Sequence, residues 1–349
     1  MLADRIEGKW IDAFCEIFAS CAVKQGDTAA ILSETQSRAL NVELAELALL
    51  RLGARAFHIV VPTPRNRHPV PVRSTGASEA IGRLEPVVSA LGRSGFVVDC
   101  TLEGLMHAPE TPEILRAGAR ILVISNEHPE ALERMRPDPA LERRVRAATK
   151  MLRAARRMAV TSAAGTELDV DMIGATTVGV WGWTDRAGTL AHWPGGVVVS
   201  FPKSGTVNGT LVLDRGDVNL TFKRYLEASV RLTLEADYIT RIEGEGADAE
   251  MMRGYLAAWG ERDAYAVSHV GFGMNPKARY EALAMYDRRD TNGTEIRAVA
   301  GNFLFSTGAN EFAGRYTAGH FDIPVMKTTI TVDNTVVVRE GALQEVFGA

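Results

Sequence analysis

Short apolar runs alternate with amphipathic stretches over about the first 150 residues. The runs predict β-strands at residues 28–33, 56–61, 95–99 and 120–125. Helical spacing of apolar positions predicts helices over residues 39–52, which Gly53 ends, and 77–91. Four prolines within residues 62–71 predict an irregular loop, to which the sequence assigns no function. Because strands that alternate with helices are typical of a mainly parallel sheet, we expect an α/β N-terminal domain.

The pattern changes after an amphipathic helix predicted over residues 139–158. One further helix is predicted over residues 248–260, with Asp248 as a candidate N-cap. Alternating, β-branched segments predict strands at residues 159–162, 167–172, 195–201, 209–213, 226–234, 238–243 and 328–338. We therefore predict a β-rich, barrel-like α+β C-terminal domain, with a first domain at residues 1–158 and a second at residues 159–349.

Charge and cysteine content exclude several classes of protein. Lysine and arginine number 39 against 43 acidic residues, so no basic excess favours nucleic acid or an anionic membrane as partner. The three cysteines, Cys15, Cys21 and Cys100, have no Cys-x-x-Cys spacing, which argues against a disulfide framework and a thiolate zinc site. Without a signal-like N-terminus or a run of eighteen apolar residues, we expect a cytoplasmic protein with no membrane partner.

Common catalytic motifs are missing from the sequence. There is no Gly-x-x-x-x-Gly-Lys-Ser/Thr phosphate loop, no Gly-x-Ser-x-Gly elbow and no His-Glu-x-x-His helix. Gly271-Phe272-Gly273 is followed by Pro276, which blocks the helix that a dinucleotide-binding motif needs. Nucleotide binding, serine hydrolysis and common zinc proteolysis therefore lose support.

A metal site is the chemistry that the histidines favour. In Gly319-His320-Phe321-Asp322, a strand would project His320 and Asp322 from one face and Phe321 from the other. His269 ends an apolar run at a glycine-rich bend and can supply a third ligand. Two histidines and one carboxylate with open coordination positions are typical of non-haem Fe(II) oxygenases.

The spacing alone leaves another interpretation open. Seven histidines in a chain with 43 acidic residues produce a His-x-acid pattern by chance, and a second instance is His128-Pro129-Glu130. From spacing alone, His320 and Asp322 can equally form a structural pair at the end of a strand.

Three segments carry a resemblance to a known family. Gly271-Phe272-Gly273-Met274-Asn275-Pro276, Gly319-His320-Phe321-Asp322 and Pro194-Gly195-Gly196 resemble the thermophilic-type leucyl aminopeptidases, the aminopeptidase T-like group, which hold two metals through Glu, His and Asp. This sequence departs from that pattern at the ligands. Val197 stands at a glutamate position, Leu304 at a histidine position and His269 at another glutamate position, and Glu311 replaces a tyrosine. Valine and leucine cannot coordinate a metal, so the two-metal site is dismantled.

The remaining set is similar to the 2,5-dihydroxypyridine 5,6-dioxygenase family of nicotinic acid and nicotine degradation. The matching segments are His-Val-Gly-Phe-Gly-Met-Asn-Pro from His269 and Gly-His-Phe-Asp-Ile-Pro from Gly319. The resemblance implies one Fe(II) per chain, held by His269, His320 and Asp322. It also implies ring cleavage of 2,5-dihydroxypyridine by O2 to N-formylmaleamic acid, and a homo-oligomer for which a hexamer is one expected form.

Four more residues are candidates for the reaction. His107 follows a predicted strand and His192 precedes the Pro-Gly-Gly segment, so either can move protons, with a surface or packing role as the alternative. Arg297 and Ser306 are candidates for holding oxygens of the ring or of O2. Their alternatives are a solvated helix position and a strand-edge backbone contact, respectively.

Two rival functions stay open at this point. One is a metal-dependent aminopeptidase-like hydrolase with a changed ligand set, which Val197 and Leu304 disfavour. The other is a catalytically inactive binding protein of the same fold, which predicts no stoichiometric metal.

Overall fold

The computed structural model describes residues 5–65, 77–124, 126–288 and 291–348. Most of the predicted proline-rich loop, residues 66–71, therefore lies outside the described residues. No helix within the described ranges combines the length and the apolar character needed to cross a membrane.

A parallel five-stranded sheet forms the first layer. Numbered in chain order, its strands are β1 (Thr28–Glu34), β2 (Arg55–Val61), β3 (Phe96–Asp99), β4 (Arg120–Val123) and β8 (Leu190–His192), in the order β2-β1-β3-β4-β8. The four predicted strands and the parallel α/β arrangement are confirmed. The fifth strand comes from beyond residue 158, where the domain boundary stays a prediction. It pairs His192 with Val123 at the carboxyl end of the sheet.

Helices cover the first sheet and join the other layers. They are α1 (Gly8–Ser20), α2 (Ala39–Arg51), α3 (Glu85–Gly92), α4 (Thr111–Arg116), α5 (Pro129–Arg134), α6 (Pro139–Ala154), α7 (Gly246–Ala258), α8 (Ala282–Met285) and α9 (Thr294–Ala298). Apolar residues pack on both faces of the first sheet. Phe14 and Leu44 lie on one side and Leu91 and Ile114 on the other.

Two helix predictions are wrong in detail. The helix predicted from residue 77 begins only at Glu85, because Gly82 and Arg83 both take a left-handed φ of 58° that breaks a helix. Asp248 is not an N-cap, since α7 begins at Gly246. Its carboxylate instead accepts the backbone N–H groups of Glu227 and Ala228.

The second half is antiparallel and β-rich. An eight-stranded sheet holds β5 (Arg157–Ser162), β6 (Glu167–Asp171), β10 (Val207–Leu213), β13 (Val230–Glu235), β14 (Tyr238–Glu243), β18 (Thr328–Val332), β19 (Thr335–Arg339) and β20 (Ala342–Leu343). A five-stranded sheet holds β7 (Thr176–Val180), β9 (Val197–Phe201), β15 (Val267–Gly273), β16 (Phe303–Asn310) and β17 (Arg315–Val325). A short ribbon pairs β11 (Val218–Asn219) with β12 (Arg224–Tyr225). Among the described residues both larger sheets run from one edge strand to another, so a barrel is not confirmed.

The five-stranded antiparallel sheet positions the candidate site. Its order is β17-β16-β15-β9-β7, and one face packs into a large core through Val270, Phe272, Phe305 and Phe321. Because side chains alternate along a strand, the residues between these point to the opposite face. That face carries His269, Ser306, His320 and Asp322.

Candidate metal centre

The edge strand β17 of this sheet places an imidazole and a carboxylate side by side. Phe321 and Ile323 of β17 lie in the core, so His320 and Asp322 project together from the other face. Both are buried, with 6% and 4% of their surface exposed. The i, i+2 arrangement expected from the sequence is confirmed.

A β-bulge in the neighbouring strand sets the position of His269. Val267 pairs with Thr307 but Val270 pairs with Phe305, so β15 holds one residue more than β16 across this interval. The extra residue lets Val267 and Val270 both face the core, and His269 lies on the site face between them. Bulges commonly re-aim a side chain in this way next to active sites.

The three side chains converge on a small volume. One donor atom from each of His269, His320 and Asp322 lies within 4.8 Å of the others. Oδ1 of Asp322 is 3.5 Å from Nε2 of His269 and 3.3 Å from Nε2 of His320. The structure thus brings together the three residues that the sequence singled out.

An arginine neutralises the other side of the same carboxylate. Nε of Arg297 in α9 donates to Oδ2 of Asp322 at 2.5 Å, and the arginine side chain is only 13% exposed. The expected alternative of a solvated helix position is therefore wrong for Arg297. Burial acts to raise the pKa of Asp322, but Arg297 and the two histidines together hold that pKa well below its usual value.

The protonation states of His269 and Asp322 suit a metal ion. Burial lowers the pKa of His269 to about 4, so its imidazole is neutral at pH 7, and Asp322 is ionised. Metal ligands must be deprotonated in this sense. With its imidazole neutral, His269 has a nitrogen lone pair to offer a metal, and the ionised Asp322 offers a carboxylate oxygen.

Unsatisfied polar atoms also fit a divalent ion. Oδ1 of Asp322 is buried and makes no hydrogen bond within the described part of the chain. Its nearest polar neighbours are the two Nε2 atoms, at 3.3 and 3.5 Å. Adjacent donors on one metal lie about 3 Å apart when each bond is about 2.1 Å long. Nitrogen and carboxylate ligands together favour a first-row transition metal over Mg²⁺ or Ca²⁺.

Of the two spare histidines, His107 lies beside this centre, and His192 lies within electrostatic reach of Asp322 and Arg297. The ring centroid of His107 is 5.1 Å from that of His320, and burial, helped by His320 and His269, lowers its pKa to about 3. His192 is buried, and its Nδ1 lies 2.6 Å from the carbonyl oxygen of Pro194. Because a carbonyl only accepts, Nδ1 carries the proton and Nε2 keeps a lone pair. Burial lowers the pKa of His192 to about 4.

Ser306 completes the polar face. It stands directly opposite Asp322 in the β16–β17 pairing, and its Oγ lies 3.4 Å from both ring nitrogens of His320. Strand β16 has a partner on each side, so Ser306 does not lie at a sheet edge. The alternative role of Ser306, a backbone contact at a strand edge, therefore does not apply.

Comparison with known proteins assigns the chain. A family model described as 2,5-dihydroxypyridine 5,6-dioxygenase matches residues 9–345. The chain belongs to this family. A curated 2,5-dihydroxypyridine 5,6-dioxygenase from Pseudomonas putida is 36% identical over 326 residues, with 91% of each chain covered.

Solved structures agree with the dioxygenase family and with the wider fold. A 2,5-dihydroxypyridine dioxygenase from Pseudomonas putida superposes with a TM-score of 0.90 at 33% identity, covering 96% of each chain. Wild-type AmpT from Thermus thermophilus superposes with a TM-score of 0.65 at 16% identity, covering 96% of this chain and 98% of its own. At that identity the second likeness shows the fold alone, which is the aminopeptidase T-like fold that the sequence resembles.

In this dioxygenase family member, apolar side chains lie beside the candidate metal ligands. Val197 pairs with Gly273 and therefore shares a sheet face with His269, and Leu304 shares the face of Ser306. Both are buried. Among the described residues, His269, His320 and Asp322 are the one group of three that could hold a metal.

Sequence reasoning missed three residues at or near this site, Phe201, Phe312 and Glu127. The Phe201 ring packs edge-on against His269 with centroids 5.4 Å apart, and Phe312 lies 5.1 Å beyond it. The position of Phe201, just after the Pro-Gly-Gly segment, could have indicated it. Glu127 contacts α9 from 166 residues away in the chain, and no local pattern indicates such a contact.

Proposed function

We propose that this chain is a mononuclear non-haem Fe(II) dioxygenase that cleaves 2,5-dihydroxypyridine with O2 to N-formylmaleamic acid. The observation that carries the proposal is the convergence of His269, His320 and Asp322 in a chain of this family. These three side chains would hold one Fe(II) per chain. When bound, Fe(II) supplies a redox centre with open coordination positions for a ring hydroxyl and for O2.

Two histidines would move the protons. The substrate must lose a phenolic proton before its ring becomes electron-rich enough to react with O2. Nε2 of His192 can accept that proton, because Nδ1 is already bound to the Pro194 carbonyl. His107, packed against His320, can exchange a second proton with the reacting ring.

The remaining residues would hold the ring and exclude water. Ser306 can donate its hydroxyl hydrogen to an oxygen of the ring or of O2, since its Oγ faces the site. Phe201 offers an aromatic surface beside His269 for a flat heterocycle. Arg297 keeps Asp322 ionised and holds its Oδ2. Burial of these groups keeps bulk water from the reacting atoms.

The proposal also covers the oligomeric state and the cellular location of the protein. We infer a cytoplasmic homo-oligomer, with the hexamer that the family resemblance implies as the expected form. Light scattering of the purified protein measures the assembly directly, and a monomer at micromolar concentration would contradict it.

Anaerobic reconstitution followed by exposure to air tests the function. The protein is loaded with Fe(II), mixed with 2,5-dihydroxypyridine, and followed by ring absorbance and O2 uptake. An aminoacyl chromogenic substrate runs as the control for aminopeptidase-like hydrolysis. We expect one O2 consumed per ring lost and no hydrolysis. Hydrolysis of the aminoacyl substrate without O2 uptake, with two metals per chain, would overturn the proposal.

A further inference from the structure

A buried glutamate of the first half of the chain holds the helix that carries Arg297. Glu127 follows β4 and is 2% exposed. Its Oε1 accepts the backbone N–H of Gly293 at 3.1 Å and that of Thr294 at 2.6 Å. These two residues are the N-cap and the first residue of α9. A single side-chain oxygen therefore fixes where this short helix begins.

The start of α9 is linked to Asp322 by one helical turn. The backbone N–H of Arg297 donates to the carbonyl oxygen of Gly293 at 3.1 Å, and Nε of Arg297 donates to Oδ2 of Asp322 at 2.5 Å. A shift of Gly293 and Thr294 would move Arg297 with them. The helix is five residues long and has too few internal hydrogen bonds to hold its place alone.

A second contact from the first half fixes the same helix. Nη2 of Arg134 in α5 donates to Oε1 of Glu295 at 2.7 Å, and Glu295 is 1% exposed. The same oxygen accepts the backbone N–H of Arg279 at 2.8 Å. Glu127 and Arg134 thus both hold the first turn of α9.

We propose that Glu127 is a positioning residue for the candidate metal centre, which it orients through α9, Arg297 and Asp322. The inference rests on the proposed function for the identity of the metal. Arg297 occupies Oδ2, so Oδ1 alone is left facing His269 and His320. Without a fixed Arg297, Asp322 can rotate and offer either oxygen. The metal centre then depends on contact between the two halves of the chain, although all three ligands come from the second.

Glu127→Ala tests the inference, with metal affinity as the readout. Fe(II) affinity is measured anaerobically by competition with a chromophoric chelator, and Co(II) absorption in the visible range reports the coordination geometry. Removing groups that orient metal ligands typically weakens metal affinity by about 10- to 100-fold. We expect a loss of at least about tenfold and an altered Co(II) spectrum. Glu127→Gln keeps an acceptor oxygen and should restore affinity to within about threefold of wild type.

Glu110→Ala is the matched control. Glu110 is also buried and accepts a backbone N–H, but its donor is Arg83, at 2.8 Å, which lies outside α9. It should lower the melting temperature of the metal-free protein without changing Fe(II) affinity. Combining Glu127→Ala with Arg297→Ala should weaken affinity no more than Arg297→Ala alone, since both act along one chain of contacts.

Wild-type Fe(II) affinity in folded Glu127→Ala would overturn the inference, as would an equal loss in Glu110→Ala. If Glu127→Ala does not fold, Glu127→Asp is tested in its place. Aspartate keeps the carboxyl group but is one methylene shorter, so its oxygens are withdrawn from Gly293 and Thr294. An affinity within about twofold of wild type in that variant would also overturn the inference. Failure of the wild type to bind any metal would instead contradict the proposed function.

Discussion

Arg297 and Asp322 form a buried ion pair in which only one of the two carboxylate oxygens contacts the arginine. Oδ2 accepts Nε of Arg297 at 2.5 Å, while Oδ1 faces Nε2 of His269 and of His320 at 3.5 and 3.3 Å. The arginine keeps Asp322 ionised in a buried place, where a lone carboxylate would take up a proton. An ionised oxygen is thereby available beside the neutral imidazole of His269.

Asp322→Asn should abolish tight metal binding while keeping the shape of the side chain. The amide is a poor ligand, and the change leaves the buried Arg297 without its anion. We expect Fe(II) affinity to fall on the order of 100-fold or more, measured by anaerobic chelator competition. Asp169→Asn, on an exposed position of β6, is the control and should bind Fe(II) as wild type does. Unchanged affinity in Asp322→Asn would rule Asp322 out as a ligand.

His107→Ala or His192→Ala should lower kcat at least tenfold, because proton transfer by a positioned side chain contributes about 100-fold or more. Fe(II) content should stay at the wild-type value, since neither residue is an expected ligand. His58→Ala, at a partly exposed site on β2 beside Glu46, is the matched control and should leave kcat unchanged. Near wild-type kcat in both His107→Ala and His192→Ala would show that proton transfer uses other groups.

The dependence of kcat/KM on pH should lack an acidic limb near pH 6.5. A general base works when it is unprotonated, so activity falls only as pH falls through its pKa. Burial lowers the pKa of His192 to about 4 and that of His107 to about 3, so both stay neutral down to about pH 5. We expect kcat/KM to be flat from pH 8 to about pH 5.5, with Fe(II) content assayed at each pH. An inflection between pH 6 and 7 with iron retained would contradict these lowered values.

Gly271→Ala should destabilise the sheet that carries the site. A Cβ at Gly271 would lie 2.0 Å from the carbonyl oxygen of Val198 on β9, and this backbone atom cannot rotate away. We expect a loss of about 3 kcal/mol in urea unfolding of the metal-free protein. Gly254→Ala is the control, because a Cβ there meets nothing within 4 Å on helix α7. It should raise stability by up to about 1 kcal/mol, and an equal response of both variants would contradict the packing argument.

Local patterns predicted the elements and the ligand pair well. Apolar runs indicated β1 to β4 with small errors at their ends, and period-two alternation correctly put His320 and Asp322 on one face of a strand. Both results depend on residues close together in the chain, which is where the sequence pattern carries information.

Long-range contacts could not be predicted in the same way. The hydrogen bonds from Gly293 and Thr294 to Glu127 span 166 and 167 residues, and the Arg297–Asp322 pair joins a helix to a strand. The bulge that turns His269 to the site is visible only in the pairing of β15 with β16. The helix predicted from residue 77 failed because periodicity does not detect two left-handed residues at Gly82 and Arg83.

Isotope labelling of the product distinguishes a dioxygenase from a hydrolase at this centre. The Fe(II)-loaded protein is given 2,5-dihydroxypyridine under ¹⁸O₂, and the product is analysed by mass spectrometry beside that of His320→Ala. A dioxygenase at this centre predicts N-formylmaleamic acid with both atoms of one O2 incorporated, and no product from the variant. Product that carries oxygen from water alone, or equal turnover by His320→Ala, would contradict the account.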